Sequence, residues 1–573
     1  MEALISFSSL PKSPSFPNVP TTTNRRKNLS PHSSLLKDLY TRKQSPPKTR
    51  KPQHQNPPTK KHSLHEIIFK PLLHFISTTF TDADIPPYLD PNQVLSGNLS
   101  PVDELPPTAC AVVEGSLPPC LAGAYVQNGP NPRFTPQPPY IFPDGDGMLH
   151  SLKISRRGDA VFCSRFIKTF KYTTEQGYGY PIFPNIVAYF CSNVTPLMIL
   201  TAARVLLGQF NPFADGLGTA NTSLSLIGGG LHALMETDLP YQVKITPEGE
   251  ITTVGRHDFK SSNRYLTMTA HPKTDPDTGE SFAFRYFVIP PFLTYFRIDS
   301  NGKKQRDVPI FSLKSPSYIH DFAVTKSHAI FPDPQIVIEP LQILRGKPVL
   351  RINGDKVPKL GVIRRDAEDE REMYWIDEPG MNLLHVVNAW DEDDGDTIVV
   401  VASNIQPVEH ALEKLDLVHL SLEKIVIDAK TKKITMRSPL SALSLDFGVI
   451  NPRYAQKKNR YVYVAVMEKM PRMVGLVKMD LSLPTGECTV GCRMYGAGCY
   501  GSEPIFVARE GAEEEDDGYL VTYVSNEKTQ ETHFVVMDAK SPNLEIVAAV
   551  KLPRRVPQGF HSIFVKETDL QTL

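Results

Sequence analysis

Acidic residues are almost missing from the first 61 positions of this 573-residue chain, where only Glu2 and Asp38 stand against 12 Lys and Arg. That stretch also lacks the compact apolar segment of a secretory signal, and its basic, Ser- and Pro-rich composition fits an organellar transit peptide, plastid rather than mitochondrial. A plain disordered tail is the other reading of the same composition. No uninterrupted apolar run of about 20 residues occurs, so no transmembrane helix is expected. The seven cysteines are an odd, scattered set and exclude a disulfide framework. Cys488, Cys492 and Cys499 lie close together but lack a fourth ligand and zinc-type spacing, and read as ordinary thiols. Beyond residue 61 the chain holds 50 basic against 60 acidic side chains, which argues against nucleic acid as a partner.

What the chain has is turns and short strands. Its 52 prolines and 34 glycines, with 40% apolar residues, point to many loops around a substantial core. From about residue 108 onward, β-branched and aromatic runs recur: Ala124-Tyr-Val, Phe282-Ala-Phe-Arg-Tyr-Phe-Val, Thr397-Ile-Val-Val-Val-Ala, Arg460-Tyr-Val-Tyr-Val and Tyr519-Leu-Val-Thr-Tyr-Val. Hairpin turns are expected after Ile245, Ile298, Ile427, Met479 and Met537, four of them opening on a hydrophobe-Asp pattern. That recurrence suggests repeated four-stranded sheets, as in a β-propeller, although a large sandwich or a β-helix would also give such turns. Two amphipathic stretches, 64–80 and 186–210, read as helices that pack on the β core or dock shallowly on a membrane. The acidic runs at 391–396 and 513–517 read as solvated loop tips. The expected organisation is a leader over 1–61, an amphipathic segment and linker over 62–107, and an all-β domain over 108–573.

Four histidines stand at hydrophobic segments that read as strands or strand ends: His271, His320, His385 and His561. Their spacings of 49, 65 and 176 residues exclude a local metal loop and suit a site assembled on a central axis. Imidazole suits iron, zinc, copper and nickel. Four neutral imidazoles leave two positions open on an octahedral iron(II), enough for dioxygen and a substrate or water, whereas structural zinc would be filled by four. Seven other histidines, His62, His65, His74, His328, His410, His419 and His533, read as structural or surface residues. A metal-bound imidazole needs an acceptor on its other nitrogen, and Glu236, Asp446 and Glu503 are the candidate carboxylates.

The segments around these residues resemble the carotenoid cleavage dioxygenases, from about residue 85 to the end. The likeness rests on Gly123-Ala-Tyr-Val-Gln-Asn-Gly-Pro-Asn-Pro, Phe142-Pro-Asp-Gly-Asp-Gly, Glu236-Thr-Asp-Leu-Pro, Thr269-Ala-His-Pro-Lys, His320-Asp-Phe-Ala-Val-Thr, His385-Val-Val-Asn-Ala-Trp-Asp, Ser502-Glu-Pro-Ile-Phe-Val and Gly559-Phe-His, all in family order. Ile319-His-Asp-Phe-Ala-Val-Thr-Lys and Phe447-Gly-Val-Ile-Asn-Pro-Arg-Tyr are most similar to the plant plastid type-four members. The resemblance implies a seven-bladed β-propeller with a helical and loop dome over its metal-bearing face. It implies iron(II) on His271, His320, His385 and His561, with Glu236, Asp446 and Glu503 behind them and no catalytic residue beyond the metal centre. It further implies dioxygen as co-substrate, a carotenoid or apocarotenoid cut at a conjugated C=C bond (9,10 or 9′,10′) into carbonyl fragments, and membrane or plastoglobule contact in a plastid through the region around 186–210. Aromatics between Phe282 and Phe296 could line a substrate tunnel, although core is the commoner role for such residues.

Two departures bear on this expectation. Asp446 stands where the family more often has Glu, and its shorter side chain weakens the case for a direct bond to His385. Ser562 stands beside His561 where the family usually has Gly, and a side chain there could crowd the backbone or the tunnel. A relative acting on apocarotenoids or epoxycarotenoids, a metal-dependent isomerase on the same fold, and an inactive carotenoid-binding propeller are the competing readings.

Overall fold

A computed structural model describes residues 86–573, apart from Val194, Leu207, Gln209, Pro212 and Phe213. The basic leader, the stretch 64–80 and the histidines at 62, 65 and 74 therefore lie outside the described residues.

The described part is built from antiparallel sheets with few helices. Four separate four-stranded sheets follow one another over 223–256, 273–310, 323–377 and 383–439, and a two-stranded ribbon, Ile336–Ile338 with Leu350–Ile352, is inserted in the third. The remaining strands join one 14-stranded sheet. Within it, residues 445–494 and 499–551 form two further antiparallel runs. The last strand, Ser562–Lys566, pairs with Gly123–Pro130, which continues through Gly147–Ile154 to Ala160–Phe166. The strand Leu105–Gly115 pairs with Ala160–Phe166 along one half and Ile546–Lys551 along the other. Both ends of the β part are thus hydrogen-bonded to each other.

Each of the five runs expected from sequence contains a strand, with Phe287, Val288 and Arg460 falling just outside theirs, and all five expected turns join the last two strands of a run. The run 398–402 within the strand Thr397–Gln406 is continuously apolar because it is buried on both faces. Ile398, Val400 and Ala402 enter one core with Leu360, Val362 and Ile425 of the preceding and own sheets. Val399 and Val401 enter the next, with Leu445, Val464 and Val477. Each fully buried Val or Ile contributes about 1.5–3 kcal/mol.

Three expectations need correction. The stretch 186–210 is two helices, Ile186–Phe190 and Thr195–Leu206, because the segment between them turns at Cys191–Asn193. The first β strand begins at Leu105, three residues inside the expected linker. The acidic runs are not uniformly solvated. Asp391 accepts from the Thr325 hydroxyl at 2.7 Å and the Ser327 N–H at 2.8 Å, Glu515 accepts the Tyr461 N–H, and Asp516 pairs with buried Lys478 at 2.6 Å. All seven cysteines are free thiols.

Candidate metal centre

Each of the four histidines stands at or just before the start of a strand that ends the hydrogen-bonded order of its sheet, each in a different sheet run. His271 and His320 precede Lys273–Thr274 and Ala323–Val324, His385 is third in Leu383–Glu392, and His561 directly precedes Ser562–Lys566. Sequence separations of tens to hundreds of residues collapse into one cluster, with a ligating nitrogen from each ring within 4.8 Å of the others. His271 Nε2 lies 3.1 Å from His320 Nε2, which lies 3.2 Å from His385 Nε2. Side-chain exposure is only 11–13% for His320, His385 and His561.

The carboxylates decide which nitrogen is free. His320 Nδ1 donates to Glu236, which also accepts from the Tyr286 hydroxyl at 3.0 Å. His385 Nδ1 lies 2.9 Å from both Asp446 oxygens, and His561 Nδ1 donates to Glu503 Oε1 at 3.0 Å. An ionised carboxylate can only accept, so each of these Nδ1 atoms carries its proton and each neutral ring presents an Nε2 lone pair. Converging lone pairs repel unless a cation stands between them. One proton can bridge two nitrogens, but four converge here, which is the geometry of a metal site. Metal–nitrogen bonds of about 2.0–2.1 Å set at right angles place neighbouring nitrogens about 3 Å apart, close to the spacing observed. The residues therefore form a group able to hold a metal ion.

The electrostatics favour the neutral ring at His271 and His385, while at His320 they favour the proton that a metal ion would have to displace. Burial, followed by the three neighbouring imidazoles, carries His271 well below the usual histidine range. Burial also outweighs Asp446 and lowers His385. At His320 burial is opposed by Glu236, which prevails and raises it. Burial would raise Asp446, yet His385, Ser403 and the Phe447 N–H hold it below the usual carboxylate range.

The expectation that Asp446 would fall short of His385 does not hold. The register of Leu445–Val449 against Tyr461–Met467 shifts between Asp446 and Val449, and Phe447 takes a left-handed φ of 54°. Such a bulge bends the strand and re-aims its side chains, which makes up for the missing methylene. Gly448 makes the approach possible, because a Cβ there would meet Val387 Cγ2 at 2.5 Å. The Phe447 ring in turn packs on His385 and His561, with centroids 5.1 and 5.2 Å away.

Nor does Ser562 crowd the cluster. Its N–H donates to Glu503 Oε2 at 2.5 Å, and its hydroxyl lies 2.8 Å from that of Tyr125, itself 2.9 Å from the Glu503 carbonyl. A phenol has one proton and a carbonyl can only accept, so Tyr125 donates to Glu503 and Ser562 donates to Tyr125. The serine side chain is spent in the core between sheets.

Several contributors carried no signal in the strand pattern. Tyr286, within the 282–296 aromatic stretch and last in the strand Ser281–Tyr286, reaches Glu236, whereas Phe282, Phe284, Tyr295 and Phe296 are core. Tyr318 stacks on the His320 ring at 5.8 Å and 23°. His328 pairs with Asp391, consistent with a structural role.

The family model described as retinal pigment epithelial membrane protein matches residues 99–566. The chain is 52% identical over 566 residues to the probable carotenoid cleavage dioxygenase 4, chloroplastic, of Arabidopsis thaliana, covering 97% of this chain and 92% of that one. It is 51% identical over 514 residues to the 9-cis-epoxycarotenoid dioxygenase NCED1, chloroplastic, of Oryza sativa subsp. japonica, covering 87% and 80%. In fold it is similar to the crystal structure of Pseudomonas brassicacearum lignostilbene dioxygenase, with a TM-score of 0.70 at 22% identity over 84% of this chain and all of that one.

Proposed function

The chain belongs to the retinal pigment epithelial membrane protein family, the carotenoid oxygenases, as an oxidoreductase of the carotenoid cleavage dioxygenase kind, and from that premise we propose that it holds iron(II) among His271, His320, His385 and His561 and cleaves a conjugated C=C bond of a carotenoid with dioxygen. The observation that carries this is the convergence of the four ring nitrogens with carboxylates behind three of them. The all-imidazole donor set suits iron(II) and adds no charge to it. Iron(II), when bound, supplies the dioxygen chemistry. The protein's own residues hold the lone pairs in place: Glu236, Asp446 and Glu503 fix the tautomers, and Phe447 covers two rings. In the net reaction one C=C bond and one dioxygen become two carbonyl groups, so no proton has to be moved by a side chain. The 9,10 or 9′,10′ bond is proposed on the likeness to plant type-four enzymes.

The scaffold we assign is a seven-bladed propeller. The seven runs of sheet named above support it, because an apolar core lies between each consecutive pair. A seventh core, with Tyr125, Leu152 and Phe162 against Val521, Phe534 and Val550, joins the last run to the first. Pairing of the C-terminal strand Ser562–Lys566 with Gly123–Pro130, which brings the last strand into the first run, supports the same reading.

Plastid localisation is proposed on the likeness to relatives that are named chloroplastic, and the basic leader is proposed as the transit peptide. No helix among the described residues is long and apolar enough to cross a membrane. Shallow docking on a plastid membrane or plastoglobule is proposed instead. The helix Thr195–Leu206 exposes Met198, Ile199 and Leu206, and the turn Pro340–Arg345 exposes Leu341 at 73% and Leu344 at 84%. The two are tied together, since the Thr195 hydroxyl donates to the Ile343 carbonyl at 3.3 Å. Burying one Leu contributes about 1.5–3 kcal/mol. Leu341→Asp with Leu344→Asp is therefore expected to weaken co-sedimentation with galactolipid vesicles by more than about tenfold, and unchanged sedimentation would refute docking through this face.

The reaction itself is tested by anaerobic iron(II) loading, then oxygen with a panel of C40 carotenoids, epoxycarotenoids and shortened apocarotenoids. Oxygen uptake with two carbonyl fragments cut at the 9,10 bond is the expected result. Cleavage of the epoxycarotenoid alone would move the assignment toward the rice relative. No oxygen uptake with any substrate would leave a carotenoid-binding propeller.

A further inference from the structure

Beneath the imidazole cluster lies an ion pair that no part of the reaction uses. Lys273 Nζ is 2.7 Å from Asp321 Oδ1 and 3.0 Å from Oδ2. Asp321 is 2% exposed and accepts two backbone N–H groups, from Phe322 on Oδ1 and from Val386 on Oδ2, each at 2.7 Å. Lys273 also reaches the Val386 carbonyl at 3.5 Å. These residues follow three histidines by two, one and one positions: Lys273 after His271, Asp321 after His320, and Val386 after His385. Lys273 and Val386 lie in strands of two different sheets, and Asp321 just before the first strand of a third.

We propose that the Lys273–Asp321 pair is a positioning clamp that sets His271, His320 and His385 relative to one another, a role that rests on their holding a metal. No hydrogen-bonded ladder connects the three strands, which belong to separate sheets, so the relative placement of their first residues needs another source. A site of this kind tolerates about 0.5 Å of error, less than loosely packed strand ends keep. One buried carboxylate bonded to the Val386 N–H and to a lysine two residues from His271 fixes all three backbones through charge-assisted bonds, the strong class of hydrogen bond. The charge also has a purpose, because Lys273 neutralises Asp321 in a region already holding Glu236, Asp446 and Glu503. His561 stands outside the clamp. It is held through Glu503, which binds both its ring and the Ser562 N–H.

The test uses cobalt(II) alone, whose visible d–d absorption reports ligand geometry without turnover. Lys273→Met removes the charge and every donor, and the side chain is accommodated at a position 23% exposed. Lys273→Gln keeps a donor and guards against loss of the fold, and Lys273→Arg restores the charge. Chelator competition is expected to show cobalt held about 10–100-fold more weakly in the Met and Gln variants, the range typical of outer partners of a metal site, with a displaced d–d spectrum and a native circular-dichroism spectrum. Arg is expected to recover most of both. A wild-type spectrum and affinity in whichever of the Met and Gln variants folds would overturn the clamp alone. Failure of the unmodified chain to bind cobalt, under conditions where it is folded, would overturn the metal reading and the clamp with it.

Discussion

Replacing His385 by alanine is expected to abolish both metal retention and carotenoid cleavage while the chain stays folded. His385 packs against all three other rings: its centroid lies 5.0 Å from those of His320 and His561 and 5.3 Å from that of His271. Its loss removes one of four donors and frees Phe447 from the ring it covers. The strand Leu383–Glu392 keeps its ladder with Thr397–Gln406, because the imidazole takes no part in it. The stability cost is that of leaving Asp446 buried without its partner, about 1–3 kcal/mol or somewhat more for a charged group. Elemental analysis of the variant should find iron falling from one per chain to near zero. Product formation should fall by more than about 100-fold, beyond what losing an outer partner costs. An iron-replete, active variant would contradict the assignment.

The four histidines were legible because each combines a rare residue type with a strand start, and the family segments around them are dense. Strand positions and hairpins were legible for the same reason that β-branched runs and Asp-rich turns always are: they are local. What was not legible depends on how separate sheets meet. The reach of Asp446 is set by a bulge and a left-handed Phe447, for which Asp-Phe-Gly inside a strand is only a faint cue. Ser562 looked disruptive because the sequence does not show that Tyr125, 437 residues away, waits for its hydroxyl. Lys273 and Asp321 stood in plain view as opposite charges beside two of the histidines. Their partnership is a contact between sheets, and neither periodicity nor spacing reports it.

The second large effect is expected at Asp446, and the order of its variants separates charge from shape. Asp446 is fully buried and bonded through both oxygens to His385. Alanine removes the acceptor, so the ring is free to turn and to carry its proton on Nε2, where it blocks the metal. Loss of such an outer partner costs about 10–100-fold in metal affinity. Asparagine keeps the size and one oxygen acceptor, so the tautomer survives while the negative charge is lost, and it should fall between wild type and alanine. Glutamate adds a methylene to a site already closed by the bulge at Phe447 and by Gly448 against Val387. Overpacking of that sort costs about 1–3 kcal/mol, so Asp446→Glu should lose thermal stability rather than gain affinity. Chelator competition and thermal melting on the same four proteins would check the order. Wild-type affinity in Asp446→Ala would show that His385 is oriented by its strand and Phe447 alone, and that the carboxylate is there for packing.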